Sequence, residues 1–256
     1  MVILIRLFAG DDPENSTGLL VVGQEQPNQD IAQNRHSRKR KKAPSDYPAF
    51  SREKLSRAQV LVYDAWEEPN WQKRLALARK ALTISPYCAD AYNLLAEEST
   101  SNEERQSLYE QAVKVGRVAL GDLYFKKYAG HFWMESESRP FMRSLAGWSE
   151  CLWEDGQRQD AIRNYKEMLR LNPNDNQGVR YALINCLLEE GWDEEAARLL
   201  AEYEESSCFM LYSQALLTFR RQGKEGAGRT FAAGFGRQCV CTALPVRAEG
   251  YFPLAS

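Results

Sequence analysis

From Ser51 onward, apolar residues recur at the three- and four-residue spacing of amphipathic helices. KLSRAQVLVYDAWEE places Leu55, Ala58, Leu61, Val62 and Ala65 on one face. Pro69 and Asn70 interrupt this helix. WQKRLALARKALTISP then aligns Leu75, Ala78, Ala81 and Leu82 and stops at Pro86. CADAYNLLAEES predicts a short helix striped by Ala89, Tyr92, Leu95 and Ala96, and a longer one from Glu103 to about Leu120 carries Leu108, Tyr109, Ala112 and Val115. The clearest unit runs from Met142 to Pro173. Leu145, Trp148 and Leu152 stripe its first helix, Gly156 ends it, and Ala161, Tyr165 and Met168 stripe the second. Pro173 closes the unit, because proline cannot continue a helix. Residues 174–176 can cap the next helix, in which Val179, Leu183, Cys186 and Leu187 share a side up to Gly191. Ala196, Leu199 and Leu200 mark its partner, and a last helix from about Cys208 to Gln222 presents Tyr212, Ala215, Leu216 and Phe219 before Gly223.

The turn glycines at 156, 191 and 223 are 35 and 32 residues apart, which straddles the roughly 34-residue period of tetratricopeptide units. The pattern predicts an all-α fold: a tetratricopeptide-type helical-hairpin solenoid of about four helix pairs, two on each side of an irregular section from Gly116 to Met142. A helix pair of this size cannot bury its apolar face alone, so neighbouring pairs stack on a continuous core. The irregular section is rich in aromatic residues, at 124, 125, 128, 132, 133 and 141. YAGHFW at 128–133, RPFMR at 139–143, ECLWEDGQRQDAI at 150–162 and NPNDNQGVRY at 172–181, in this order, resemble a family of tetratricopeptide proteins common in bacteria, related to the animal suppression-of-tumorigenicity-seven proteins. The resemblance covers roughly residues 55–223. It implies a helical-repeat protein to which no reaction is assigned. The animal proteins of that group carry membrane segments, and this chain has no apolar run of spanning length, so membrane association is not carried over.

Residues 1–50 differ in kind: they are rich in Gln, Asn, Asp, Gly and Pro and end in the basic cluster RHSRKRKK, Arg35 to Lys42. They are expected to form a disordered tail. Residues 51–223 are expected to be the repeat domain. Residues 224–256 are expected to be a degenerate, irregular segment with a partial helix near Thr230, since Gly226, Gly228, Gly234 and Gly236 each cost a helix about 1 kcal/mol relative to Ala. Net charge over the whole chain is −2, and residues 46–222 carry 22 basic against 28 acidic side chains. Such a body repels a phosphate backbone, so nucleic acid is not an expected partner; the basic 35–42 tail is the alternative reading. The opening MVILIRLFAG lacks a basic start and is too short to span a bilayer. With six cysteines and no CxxC pair, free thiols and a cytoplasmic location are expected, with no metal site and no cofactor.

The sequence holds no HExxH, no nucleophile elbow and no phosphate-cradling glycine loop, so a non-enzymatic scaffold is the expectation. His131 beside Phe132 and Trp133, with Glu135, Glu137 and Arg139 near in sequence, is the candidate for an enzyme or ligand site. The other reading makes these aromatics the filling between two repeat blocks. In a tetratricopeptide superhelix the first helix of each pair lines the concave side. That expectation puts Arg143, Glu150 and Trp153 from one unit, and Gly178, Tyr181 and Asn185 from the next, towards a bound peptide segment, with Arg180 close by. Asn, Tyr and Arg can hydrogen-bond an extended backbone or pair with its carboxylates without strict sequence demand.

Overall fold

The computed structural model describes residues 48–235, with side chains described as far as residue 229. Among these residues there are ten α-helices and no strand: α1 (Arg52–Glu67), α2 (Trp71–Ile84), α3 (Ala89–Glu97), α4 (Asn102–Leu120), α5 (Asp122–Tyr128), α6 (Arg139–Glu154), α7 (Arg158–Leu171), α8 (Val179–Glu189), α9 (Asp193–Glu202) and α10 (Cys208–Phe235). Three helix starts carry a side-chain cap of the residue type that favours one. The side chains of Ser51, Asn70 and Ser101 accept from the backbone N–H three residues on, an arrangement that stabilises each helix by about 1 kcal/mol. Gly156 and Gly191 end α6 and α8 with φ of +79° and +72°, where a β-carbon would be strained. Their equivalence fixes the repeat frame.

The expected pairs are α1 with α2, α3 with α4, α6 with α7 and α8 with α9. The second helix of each pair lies against the first helix of the next, as α4 does on α6 and α7 on α8, and α3 touches both α1 and α6. This is the tetratricopeptide-type stacking that the pattern predicts. Gly147 of α6 lets α4 come close, since a β-carbon there would fall 2.4 Å from the Tyr109 ring. The irregular section supplies α5 and two short 3-10 turns, Phe132–Met134 and Ser136–Ser138. Its aromatics pack together: Phe132 is fully buried, with ring centroids 4.9 Å from Phe125 and 5.7 Å from Tyr124, and Phe125 lies 5.1 Å from Phe141. The Gly130 N–H reaches the Leu171 carbonyl at 2.9 Å and ties the section to the end of α7.

The stripes expected on α1 to α9 face the interior, with one correction at α10. Tyr212 and Phe219 are exposed there, and the buried positions ahead of Gly223 are Met210, Ser213, Ala215 and Leu217. Apolar residues fall on more than one side of CFMLYSQALLTF, so periodicity alone does not choose the inward face. The helix breaks at Gly223 (φ 72°, ψ −166°) and then continues to Phe235, across the stretch where a partial helix near Thr230 is expected. Residues 1–47 and 236–256, with the basic cluster and most of the two expected tails, lie outside the described residues. Cys88, Cys151 and Cys186 are free and buried; burial pushes the first and last up to about 12 and Cys151 to about 11, which makes them poor nucleophiles. Among the described residues no helix is long and apolar enough to cross a membrane.

Candidate functional site

The face shared by the first helices α1, α3 and α6 is built around a buried carboxylate. Asp90, in the first turn of α3, has no exposed surface. Its two oxygens accept from Gln59 Nε2 of α1 (2.8 Å), from Asn93 Nδ2 one turn on (3.1 Å) and from Arg143 Nε of α6 (2.9 Å), with Arg143 Nη2 closing a bidentate pair. The Arg143 guanidinium also lies 5.0 Å from the Trp66 ring centroid. Arg143, expected to face a bound segment, is therefore held by the protein itself. A buried carboxylate is tolerated only when fully hydrogen-bonded, and this network meets that condition while linking three helices. Asp90 is a residue that the sequence reading missed. Its partners are 31 and 53 residues away, and no local signal marks it.

One turn beyond Asn93 on α3 stands Glu97, and Glu150 projects from α6; both are exposed. Although Glu97 reaches solvent, the surrounding helices crowd it. Burial, then repulsion by Asp90, raises it to about 7 against the pull of Arg143. Glu150 is raised too, by burial and by Glu154, with Arg105 opposing. Both carboxylates push up the Tyr109 phenol, after burial itself, so both lie within Coulombic reach of that hydroxyl.

The remaining expected positions are engaged to different degrees. Trp153 is half-buried, with the Arg158 guanidinium 4.7 Å from its ring, and Arg158 reaches Glu190 at 2.7 Å. Gly178 adopts φ +70° just ahead of α8. The carboxylate that caps α8 is Asp175, itself at φ +47°, which accepts from the N–H of Val179 (2.7 Å) and Arg180 (3.0 Å). The Arg180 guanidinium bridges Asp175 and Glu205, at 2.8 Å each. Tyr181 donates to Glu205 at 2.6 Å and packs edge-on against Phe209. Against the burial that raises it, hydrogen bonds from Ser207, Tyr181 and Arg180 hold the Glu205 carboxyl below its usual range. This network joins α8 to the loop before α10. Asn185, like Glu150, is exposed. The structure thus ties Arg143 to Asp90 of α3, leaves Glu150 exposed on α6 and Asn185 exposed on the next first helix, and holds Arg180 and Tyr181 within the fold.

The alternative site does not assemble. His131 is exposed, and its backbone N–H bonds the Tyr128 carbonyl at 2.9 Å, while the neighbouring aromatics fill the junction. Among the described residues no group of three or more His, Cys, Asp or Glu side chains is placed to hold a metal ion.

Comparison with known proteins agrees with the fold. A family model described as tetratricopeptide repeat matches residues 152–206. Similar sequences include the suppressor of tumorigenicity 7 protein-like of Danio rerio, 28% identical over 173 residues, which span 62% of this chain and 27% of that protein. The suppressor of tumorigenicity 7 protein of Macaca fascicularis is 26% identical over 200 residues, 65% of this chain and 37% of that one. The chain thus spans only about a quarter to a third of these relatives. Among solved structures it is similar to YrrB, a TPR protein with an unusual peptide-binding site, with a TM-score of 0.50 and 18% identity over 73% of this chain and 86% of that one. At that identity the likeness is one of fold.

Proposed function

We propose that this chain, a tetratricopeptide-repeat protein, is a non-enzymatic scaffold that holds a protein or peptide segment along the face of its first helices. The observation that carries the reading is the pair Glu150 and Asn185. They stand 35 residues apart, each four residues before the end of its helix, at equivalent points of α6 and α8, and both are exposed. Repeated, outward polar positions on stacked first helices are what an extended segment needs: one contact per repeat, with little demand on its sequence. The peptide-binding site described for YrrB supports the same use of the fold. Arg143, Trp153, Arg180 and Tyr181 then shape and stiffen this face, and Glu150 and Asn185 touch the segment.

The test is affinity capture from the native host with the wild-type chain and with Glu150→Arg plus Asn185→Arg. Both positions are exposed, so the fold should survive, as circular dichroism would verify. Loss of specific partners from the double variant is the expected outcome. An unchanged partner set would overturn the assignment of the face.

A further inference from the structure

At α1 the first-helix face is aromatic. Tyr63 stands four residues before the end of its helix, the place that Glu150 holds on α6 and Asn185 on α8, and it is 48% exposed. Trp66, three residues on, is half-buried against the core of its own helix pair. The two ring centroids lie 5.7 Å apart with the planes at 39°, tilted open rather than stacked. The Arg143 guanidinium, held by Asp90, lies 5.0 Å from the Trp66 ring centroid and backs the pair from α6. Spacing of four and three residues puts Gln59, Tyr63 and Trp66 on one stripe of α1, and Gln59 reaches Asp90 of α3, so the stripe faces along the first helices. Among the described residues neither the Tyr63 hydroxyl nor the Trp66 indole N–H makes a hydrogen bond. The surface therefore offers two aromatic faces and two unused donors, with no charge on Gln59, Tyr63 or Trp66.

We infer that the α1 end of the first-helix face takes a proline-containing stretch of the bound segment, with a prolyl ring seated against Tyr63 and Trp66. The inference rests on the scaffold reading and names the chemistry of its partner at one end of the face. Tyr63 continues the series of Glu150 and Asn185, so a segment laid along those positions runs on over the aromatic pair. What the pair lacks is acceptors. A polyproline II stretch presents backbone carbonyls that no internal hydrogen bond uses, and proline has no N–H to leave unpaired against the rings. Its fixed φ also lowers the entropy lost on docking, which is why aromatic-lined grooves suit such segments. An acidic segment finds no open cation here, because Arg143 is already paired with Asp90.

The experiment selects binders to the full chain from a phage-displayed pool of random peptides at physiological salt, then measures the enriched peptides by fluorescence anisotropy. Enrichment in proline is expected. Tyr63 is exposed, so Tyr63→Ala should fold, as circular dichroism would verify, and affinity should fall about tenfold or more. Tyr63→Phe keeps the ring and removes the donor, and should cost about threefold to tenfold. Replacing the peptide's prolines by alanine should weaken binding to the wild type and make little difference to Tyr63→Ala. Enriched peptides without proline, lost on Glu150→Arg plus Asn185→Arg but indifferent to Tyr63→Ala, would overturn the inference and leave the scaffold reading standing. Proline-containing peptides that bind Tyr63→Ala as well as wild type would also overturn it. A pool that yields no binder, or none sensitive to any of these positions, would remove both.

Discussion

Between α1 and α3 the interior is lined by Ala58, Val62, Ala65, Ala78, Ala81, Cys88, Ala91 and Leu94. Between α6 and α9 the corresponding positions include Leu145, Leu152, Ile162, Met168, Leu171, Leu183, Ile184 and Leu187. Alanine brings one methyl group to a core and leucine four carbons, so the first block removes less apolar surface from water per buried side chain. Its larger apolar residues, Leu55, Leu61, Trp66, Leu75 and Leu82 among them, are only partly buried. The lesson is that two blocks with the same helical frame rest on different forces. The second is held by bulk. The first depends more on its attachment to α6, through the Asp90 network and the packing of Tyr109 over Gly147.

That contrast can be broken. The largest effect is expected at Leu187, 1% exposed: Leu187→Ala should cost up to about 5 kcal/mol in urea denaturation, because a large side chain leaves a cavity. A loss under 1 kcal/mol would mean that the second block is loosely filled. Next comes Asp90→Ala. Removing one partner of a buried pair costs about 3–5 kcal/mol, and the lower end applies because the Arg143 side chain keeps 25% exposure. Hydrogen exchange should then rise in α1 to α3 while α7 to α9 stay protected; equal loosening everywhere would deny the first block its special dependence. Ala78→Leu in the tight first block should cost about 1–3 kcal/mol by overpacking, whereas a neutral result would show room between α1 and α2.

A smaller, pH-dependent effect belongs to Glu97. Its carboxyl is raised to about 7 from an ordinary 4.5, so between those values the folded state holds more protons than the unfolded one. Stability contributed by this group is therefore greatest at low pH and declines as pH rises through the window. Glu97→Gln should raise the melting temperature at pH 8 relative to wild type and leave it little changed at pH 4. Equal differences at both pH values would contradict the crowding. Smallest of all is Arg52→Ala. Its pair with Glu137 is well over half exposed on both sides, so the change should stay below about 1 kcal/mol.

The helices were legible because capping residues, turn glycines and prolines punctuate a steady apolar period, from Ser51 to Gly191. Two features escaped. The inward face of α10 was misread because apolar side chains surround that helix, leaving the choice to tertiary packing. The Asp90 network was invisible because its members sit on three helices far apart in sequence. The same reason explains the site. The first-helix rule of a tetratricopeptide superhelix set Glu150 and Asn185 among the groove positions, and both are exposed. Pattern could not reveal that Arg143 and Arg180 are committed to carboxylates at Asp90, Asp175 and Glu205, since an arginine on a helix surface looks the same whether or not an acid from another repeat meets it.

A stack in which each helix pair touches only its neighbours has the mechanics of a coil spring, extending and twisting by small rotations at every contact. The bidentate bridge from Asp90 to Arg143 clamps one coil of that spring, where α3 meets α6 across the aromatic junction. Torque applied at either end should then be absorbed by the outer turns. The middle would move as a rigid handle, and a partner gripping α3 and α6 together would feel a fixed spacing however the ends of the coil bend.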